Sequence, residues 1–377
     1  MNIYFIMVPA FGHTNPTLPL AKELLNRGHD VTYYTVPSLK ESVESNGARA
    51  VVLQTAEDPA DTISNRDGAP NEEDLQGHMM HMFVENQAVT NEVMNHLEQE
   101  EVDVIVYDPM SAWGKAVVLT TQAKTVSFNT SFAINEEILT EIAGTFSFPE
   151  QVARKIFLST GDENIVPVPY SFQPWNHYVG DEYTFVGPLA SKRKQQEDEE
   201  LRQLFKEKEK IVYISLGSVV SNREFYHKCI RALANEQYHV VLKIGGSTQI
   251  EDLGELPRNI TVKRFVPQLQ VLENADVFLT HGGFNSTMEA LEFGVPLIVA
   301  PHMADQPLIA QQVESLRLGV KIDANRISEE ALRTCIHSML HGGYSTESMM
   351  TMKDEIARSG GIPLAVSIIE SRKKESS

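Results

Sequence analysis

Cysteine is scarce. The 377 residues hold two, Cys229 and Cys335, each inside a helix-like stretch. Two widely separated thiols make neither a disulfide framework nor a metal-ligand spacing, and they read as small buried hydrophobes. Positive charge is also short: 32 Lys and Arg stand against 51 Asp and Glu, a formal charge of −19. Such a surface repels nucleic acid and anionic membrane as main partners, while leaving room for one anionic ligand held locally by backbone dipoles. No apolar run approaches the roughly 20 residues that a membrane span needs. The opening MNIYFIMVPAFGHTNP is apolar but has no basic leader and no cleavage site. It reads as a strand entering a loop rather than a signal peptide, and a cytoplasmic protein is expected. A G-x-G-x-x-G fingerprint is missing, which disfavours a nicotinamide dehydrogenase, and so is a P-loop lysine. No Asp-x-Asp pair or Cys/His cluster is placed to hold a metal, so neither metal nor cofactor is expected.

What is present is ample for two cores. Hydrophobic residues make up 42% of the chain and charged residues 22%, a globular profile. The pattern is strand, loop, helix, repeated. Apolar runs at 2–8, 30–35, 50–53, 102–107 and 125–128 read as strands buried on both faces. The first is followed by a loop containing Gly12, then by a helix over 16–27 with Pro16 in its first turn and Gly28 at its end. After a Gly-Pro and a dense charge run near 186–200 the pattern restarts, with strands at 211–216, 240–244, 260–265, 277–280 and 297–300 and helices at 223–235, 285–293 and 306–316. The expected organisation is an α/β domain over 1–190, a linker over 191–205, a second α/β domain over 206–360, and a terminal helix from 361 that packs back on the first domain. Each domain should be a doubly wound, Rossmann-like parallel sheet, the two facing across a cleft, with ligands beyond the carboxyl ends of the strands. The polar, acidic stretch 57–73 reads as a loop.

The richest segment is FVPQLQVLENADVFLTHGGFNSTMEALEFGVPLIVAPHMADQ, from Phe265 to Gln306. The strand 277–280 meets a glycine turn, His281-Gly282-Gly283, and a helix opens at Asn285. Glycines there let the backbone approach a ligand, and the helix N-terminus favours a phosphate. Ser286 and Thr287 add hydroxyls to the first turn, and His281 adds a further donor. Glu289, three residues beyond Ser286, shares its face. A carboxylate so placed suits two vicinal ribose hydroxyls, which points to a ribonucleotide. Taken alone, the turn is equally a strand-to-helix connection with an N-cap. Ser218, in SLGS after the first strand of the second domain, is either a phosphate contact or a helix cap.

The segment, and more loosely the whole chain from the GHTNP loop onward, resembles the UDP-dependent family 1 glycosyltransferases of the GT-B fold, above all the bacterial macrolide- and flavonoid-active subgroup. The resemblance implies that Phe265 stacks on uracil, where many relatives have Trp, and that the Val266 backbone reads the base edge. It implies Gln268 and Glu289 on the ribose, His281 on the phosphate nearest it, Asn285 and Ser286 beside Gly283 on the diphosphate, and Asp305 and Gln306 on the transferred sugar. Phe284 replaces a Trp common in plant relatives, at a position thought to act mainly through its backbone.

On the acceptor side, His13 stands in the first loop, Phe11 to Pro16, where a doubly wound domain presents its ligand. The resemblance gives it the role of general base. Asp108 ends the strand 102–107 and should reach the same edge, where a carboxylate on one ring nitrogen fixes the tautomer and stabilises the imidazolium. Before Pro109 it also fits a turn residue. Met79, Met82, Phe83, Phe132 and Ile134 are candidate acceptor walls, although the Met79–Phe83 stripe equally fits a core face. The function expected is an inverting transfer of a hexose, glucose foremost, from a UDP-sugar to a hydroxyl of a small apolar acceptor such as a flavonoid or macrolide. The alternatives are a GT-B enzyme acting on a cell-wall or lipid acceptor, and a nucleotide-sugar-binding regulator without turnover.

Overall fold

The computed structural model describes residues 1–58, 87–142, 150–158, 161–189, 197–207, 210–217, 222–245 and 248–372. The chain divides into two compact units, Met1–Ala190 with Ser359–Ser377, and Ser191–Arg358.

The first unit holds a seven-stranded sheet in the order β3-β2-β1-β4-β5-β6-β7. Its strands are β1 (Asn2–Ile6), β2 (Asp30–Thr35), β3 (Arg49–Val52), β4 (Val104–Tyr107), β5 (Lys124–Phe128), β6 (Glu163–Val166) and β7 (Tyr183–Phe185), and every pairing is parallel. A parallel sheet is covered on both faces, and the alternation of side chains shows how. Ile3, Phe5, Val104, Val106, Val126 and Phe128 enter one apolar cluster, while Tyr4, Ile6, Ile105 and Tyr107 enter another on the opposite face. The helices described in this unit are α1 (Phe11–Thr14), α2 (Leu18–Asn26), α3 (Pro37–Ser45), α4 (Gln87–Leu97), α5 (Ala112–Thr120), α6 (Glu136–Ile142) and α7 (Glu150–Phe157). The terminal helix Gly361–Glu370 belongs to this unit as well, burying Ile362, Val366 and Ile369 in the cluster that holds Leu20 and Leu24 of α2. Its Glu370 binds Arg27 at 3.0 Å and His29 at 2.9 Å.

The second unit holds six parallel strands in the order β10-β9-β8-β11-β12-β13. They are β8 (Ile211–Ser215), β9 (His239–Lys243), β10 (Ile260–Lys263), β11 (Val277–Thr280), β12 (Leu297–Val299) and β13 (Gly319–Lys321). The helices are α8 (Glu199–Glu207), α9 (Arg223–Leu233), α10 (Gln268–Leu272), α11 (Phe284–Phe293), α12 (Gln306–Ser315), α13 (Glu329–Leu340) and α14 (Thr346–Arg358). Val212, Ile214, Val240, Leu242, Val277 and Leu279 pack with α9 and α13 on one face. Tyr213 and Phe278 point to the other and stack with ring centroids 4.6 Å apart. Cys229 is buried, and burial pushes its thiol up to about 12.

Three expectations need correction. The stretch after β1 is helical rather than a loop: one turn of α-helix, a 3-10 turn over Asn15–Thr17, then α2. Pro16 and Pro19 each lack an N–H, so the path cannot be one uninterrupted helix and instead changes hydrogen-bond pattern at Asn15. The charge run read as linker is helical from Glu199. Asp198 Oδ1 accepts from the Leu201 amide at 3.1 Å and Leu201 is buried, so a cap and one apolar anchor suffice to order it. Strands β6, β7 and β13 were not expected from the sequence. None opens as a continuous apolar run: β6 begins Glu163-Asn164, Thr184 interrupts β7, and β13 runs only from Gly319 to Lys321.

Candidate functional site

In a doubly wound sheet the strand order reverses at one place, and the loops leaving there diverge and open a crevice. In the first unit the reversal lies between β1 and β4. His13 leaves β1 and Asp108 follows β4, so the two straddle it. Asp108 is fully buried, and its Oδ2 lies 2.6 Å from His13 Nδ1, while the His13 side chain keeps 20% exposure. A carboxylate only accepts, so Nδ1 carries the proton in this pair. The other carboxylate oxygen accepts from the Met110 amide at 2.8 Å, and the Asp108 main chain donates to Ile6 of β1 at 3.0 Å. Both ends of the residue are thus fixed. Gly114 lets α5 lie close by: a Cβ there would come within 2.8 Å of Ser111 Oγ and 2.9 Å of Ile6 Cγ2.

A third member was missed in the sequence. Thr130, just past β5, places Oγ1 2.8 Å from His13 Nδ1 and 3.1 Å from Asp108 Oδ2, to which it donates. The signal was available, since Thr130 also follows a strand tip, but a lone hydroxyl has no sequence signature. Lys115 on α5 was missed too. It is buried, donates to the Lys155 and Ile156 carbonyls at 2.6 and 2.9 Å, and burial lowers its pKa to about 8 against the pull of Asp108. Phe11, beside His13 on α1, is 52% exposed.

Among the expected acceptor walls, Phe132 is buried and stacks on Phe172 with centroids 5.9 Å apart. Ile134 is also buried, and its carbonyl accepts from the Tyr183 hydroxyl at 3.2 Å. Met79, Met82 and Phe83 lie outside the described residues, as do Ser218 and most of the 57–73 stretch. Asp58 is described, and its carboxylate accepts from the Ser38 amide at 2.8 Å and hydroxyl at 2.6 Å.

The second unit repeats the same plan. Its strand order reverses between β8 and β11, and Gly217 and His281 follow those two strands. The His281 ring sits between two glycines. A Cβ at Gly217, where φ is +86°, would lie 2.8 Å from Cε1, and one at Gly283 would lie 2.5 Å from Nε2. Gly282, at φ +83°, faces Val299, whose Cγ1 a Cβ would meet at 2.6 Å. Burial drives the imidazole pKa down to about 4, helped by His302 and Lys243 and opposed by a hydrogen bond to the Ser215 main chain. His281 is therefore neutral at physiological pH.

From this turn α11 opens with Gly283 as its N-cap. Three expected residues meet on its first turns. Gln268, at the start of α10, donates through Nε2 to Ser286 Oγ at 3.0 Å and to Glu289 Oε2 at 2.6 Å. Its Oε1 accepts from the Tyr213 hydroxyl at 3.0 Å, which locks the amide orientation. Glu289 itself is 3% exposed. Phe265 is the opposite case, an aromatic ring 70% exposed at the end of the strand-loop that follows β10, while Val266 beside it is buried. Asn285 lies in the first turn of α11 and is half-buried.

The remaining pair sits after β12. Ala304 takes a left-handed φ of +54°, and Asp305 then stands at the N-cap position of α12 without a side-chain capping bond. Gln306 is buried, and its Oε1 accepts from the amides of His302 at 2.8 Å and Met303 at 3.1 Å. Its carbonyl thus holds the loop that carries Asp305. Among the described residues no group of three or more His, Cys, Asp or Glu side chains is placed to hold a metal ion, and no helix is long and apolar enough to cross a membrane.

Comparison with known proteins adds to this geometry. Residues 228–368 match the profile of the erythromycin biosynthesis protein CIII-like C-terminal domain. The chain is 30% identical to the NDP-glycosyltransferase YjiC of Bacillus subtilis, over 100% of this chain and 98% of the relative. It is 28% identical to the demethyllactenocin mycarosyltransferase of Streptomyces fradiae, over 98% of this chain and 86% of that one. The solved structure of the kitacinnamycin glycosyltransferase superposes with a TM-score of 0.82 at 27% identity, covering 99% of both chains.

Proposed function

The chain belongs to the bacterial family 1 glycosyltransferases of the macrolide and natural-product type, enzymes of the GT-B fold, and from that premise we propose that it transfers a hexose, glucose foremost, from a UDP-sugar to a hydroxyl of a small apolar acceptor such as a flavonoid or macrolide, with inversion at the anomeric carbon. The observation that carries this reading is the Gln268–Ser286–Glu289 constellation at the start of α11. A buried carboxylate, oriented by an amide and set one turn inside a helix N-terminus, is chemistry for vicinal ribose hydroxyls next to a phosphate. It favours a ribonucleoside diphosphate over a 2′-deoxy one, because the deoxy sugar offers one hydroxyl where the carboxylate can accept from two. Exposed Phe265 suits a stacked base.

The chemistry follows from protons and charge. Asp108 holds His13 with Nδ1 protonated, so Nε2 takes the proton of the acceptor hydroxyl. The acceptor oxygen attacks the anomeric carbon as the bond to the diphosphate oxygen breaks, on opposite faces of the sugar. The proton rests on the imidazolium, whose charge Asp108 stabilises. Negative charge grows on the departing diphosphate, where the α11 amides, Asn285 and Ser286 receive it. Asp305 and the Gln306 amide bind sugar hydroxyls. With these donors in place the step requires no metal and no cofactor.

Mass spectrometry of reactions containing UDP-glucose and a panel of phenols and macrolides tests the reading. A product heavier by one hexosyl unit is expected, with the β-anomer formed from the α-linked donor. Absence of product with every UDP-sugar, alongside turnover with a deoxynucleotide sugar, would overturn the donor assignment.

A further inference from the structure

Lys243 ends β9, and its register places it beside Ser215 of β8, which in turn lies beside Thr280 of β11. Three adjacent strand tips thus carry Lys243, Ser215 and Thr280 in a row, about 4.8 Å apart, and His281 follows the third. Val240 and Leu242 enter the apolar cluster under α9 and α13. Strand alternation therefore turns Lys243 to the opposite face, that of Tyr213, whose hydroxyl binds Gln268. Lys243 is half-buried there, and it feels the carboxylate of Glu289 while its own charge bears on His281. Those two residues bracket the first turns of α11.

An ammonium held half out of water at such a place is costly, and desolvation indeed lowers its pKa. Glu289 offsets part of that cost, but its Oε2 already accepts from Gln268. β8 separates β9 from β11, so Lys243 and Thr280 stand about 9.6 Å apart, and a methylene stem of about 6 Å carries the charge most of the way toward a ligand seated on the α11 N-terminus. In the sequence Lys243 only interrupts the apolar run Val240-Val241-Leu242-Lys243-Ile244 and belongs to no motif.

We propose that Lys243 is a ligand of the donor's diphosphate, supplying the full positive charge that helix dipoles and a neutral imidazole lack, and so stabilising the nucleoside diphosphate as a leaving group. The proposal rests on the donor site described above and deepens it. It also fits a chain of net charge −19, which would otherwise repel a diphosphate.

Isothermal titration of UDP and of uridine into the wild type, Lys243→Met and Glu289→Gln tests it. The expected result is a loss of about 10- to 100-fold in UDP affinity for Lys243→Met, with uridine affinity unchanged and a shallower salt dependence for UDP. Lys243→Arg should recover most of the loss, and Lys243→Gln carries the same expectation as the Met variant should the latter not fold. Equal losses for UDP and uridine would show that Lys243 merely sets Glu289, and would overturn the proposal. Unchanged UDP affinity would overturn it too, while a loss on Glu289→Gln would leave the donor site standing. Failure of the wild type to bind UDP or uridine would remove the donor site and this proposal together.

Discussion

His13, Asp108 and Thr130 form one hydrogen-bonded cluster, to which the proposed reaction gives a single proton-transfer task. Thr130 bonds both partners and so restricts the imidazole to one orientation. Thr130→Val keeps the shape and removes the hydroxyl; the loss of about 1 kcal/mol per hydrogen bond predicts a fall in kcat of roughly 5- to 30-fold with UDP affinity unchanged. Initial rates at saturating donor check this, and an unaltered kcat would reduce Thr130 to packing. In the proposed donor site Glu289 carries the choice between ribose and deoxyribose. Glu289→Ala should weaken UDP binding and narrow the preference for UDP over its 2′-deoxy counterpart, as read by competitive titration. His281 bears on stability. Its pKa falls from 6.5 unfolded to about 4 folded, so between those values the unfolded chain binds more protons. The stability this group provides is whole above about pH 6.5 and is lost as pH falls toward 4, on the order of 3 kcal/mol in all. Urea titrations of the wild type and His281→Gln across that range should show the slope in the first and a smaller one in the second.

At the scale of elements, the groups proposed for catalysis and for donor binding stand where strand order reverses, β1 against β4 and β8 against β11. Much of this was legible. Buried strands show as apolar runs and the glycine turns punctuate them, so His13, Asp108 and the 281–289 stretch could be placed at strand tips before any coordinates. What was illegible has physical causes. Strands β6, β7 and β13 offer no continuous apolar run, and the hydroxyl of Thr130 or the stem of Lys243 becomes functional only through neighbours distant in sequence. Gln306, expected as a sugar contact, also has its carbonyl oxygen engaged with the His302 and Met303 amides, a local bond that the sequence does not display. The turn before α11 is the element under the tightest constraint. Gly282→Ala combines a left-handed φ with a clash against Val299. It should destabilise the protein by about 1–3 kcal/mol and weaken UDP binding, measured by denaturant unfolding and titration.

Across the whole molecule, proton abstraction is proposed for the first unit and diphosphate binding for the second. That division makes mutational effects separable, because groups that share no partner act independently. The metal-free step proposed above predicts that rates in EDTA equal those without it. The most direct test of the division is a titration of UDP into His13→Ala, with transfer assayed on the same sample. The account predicts transfer abolished and UDP affinity within about twofold of the wild type. Loss of UDP binding together with turnover would contradict it, since His13 would then belong to the nucleotide site and not to the acceptor.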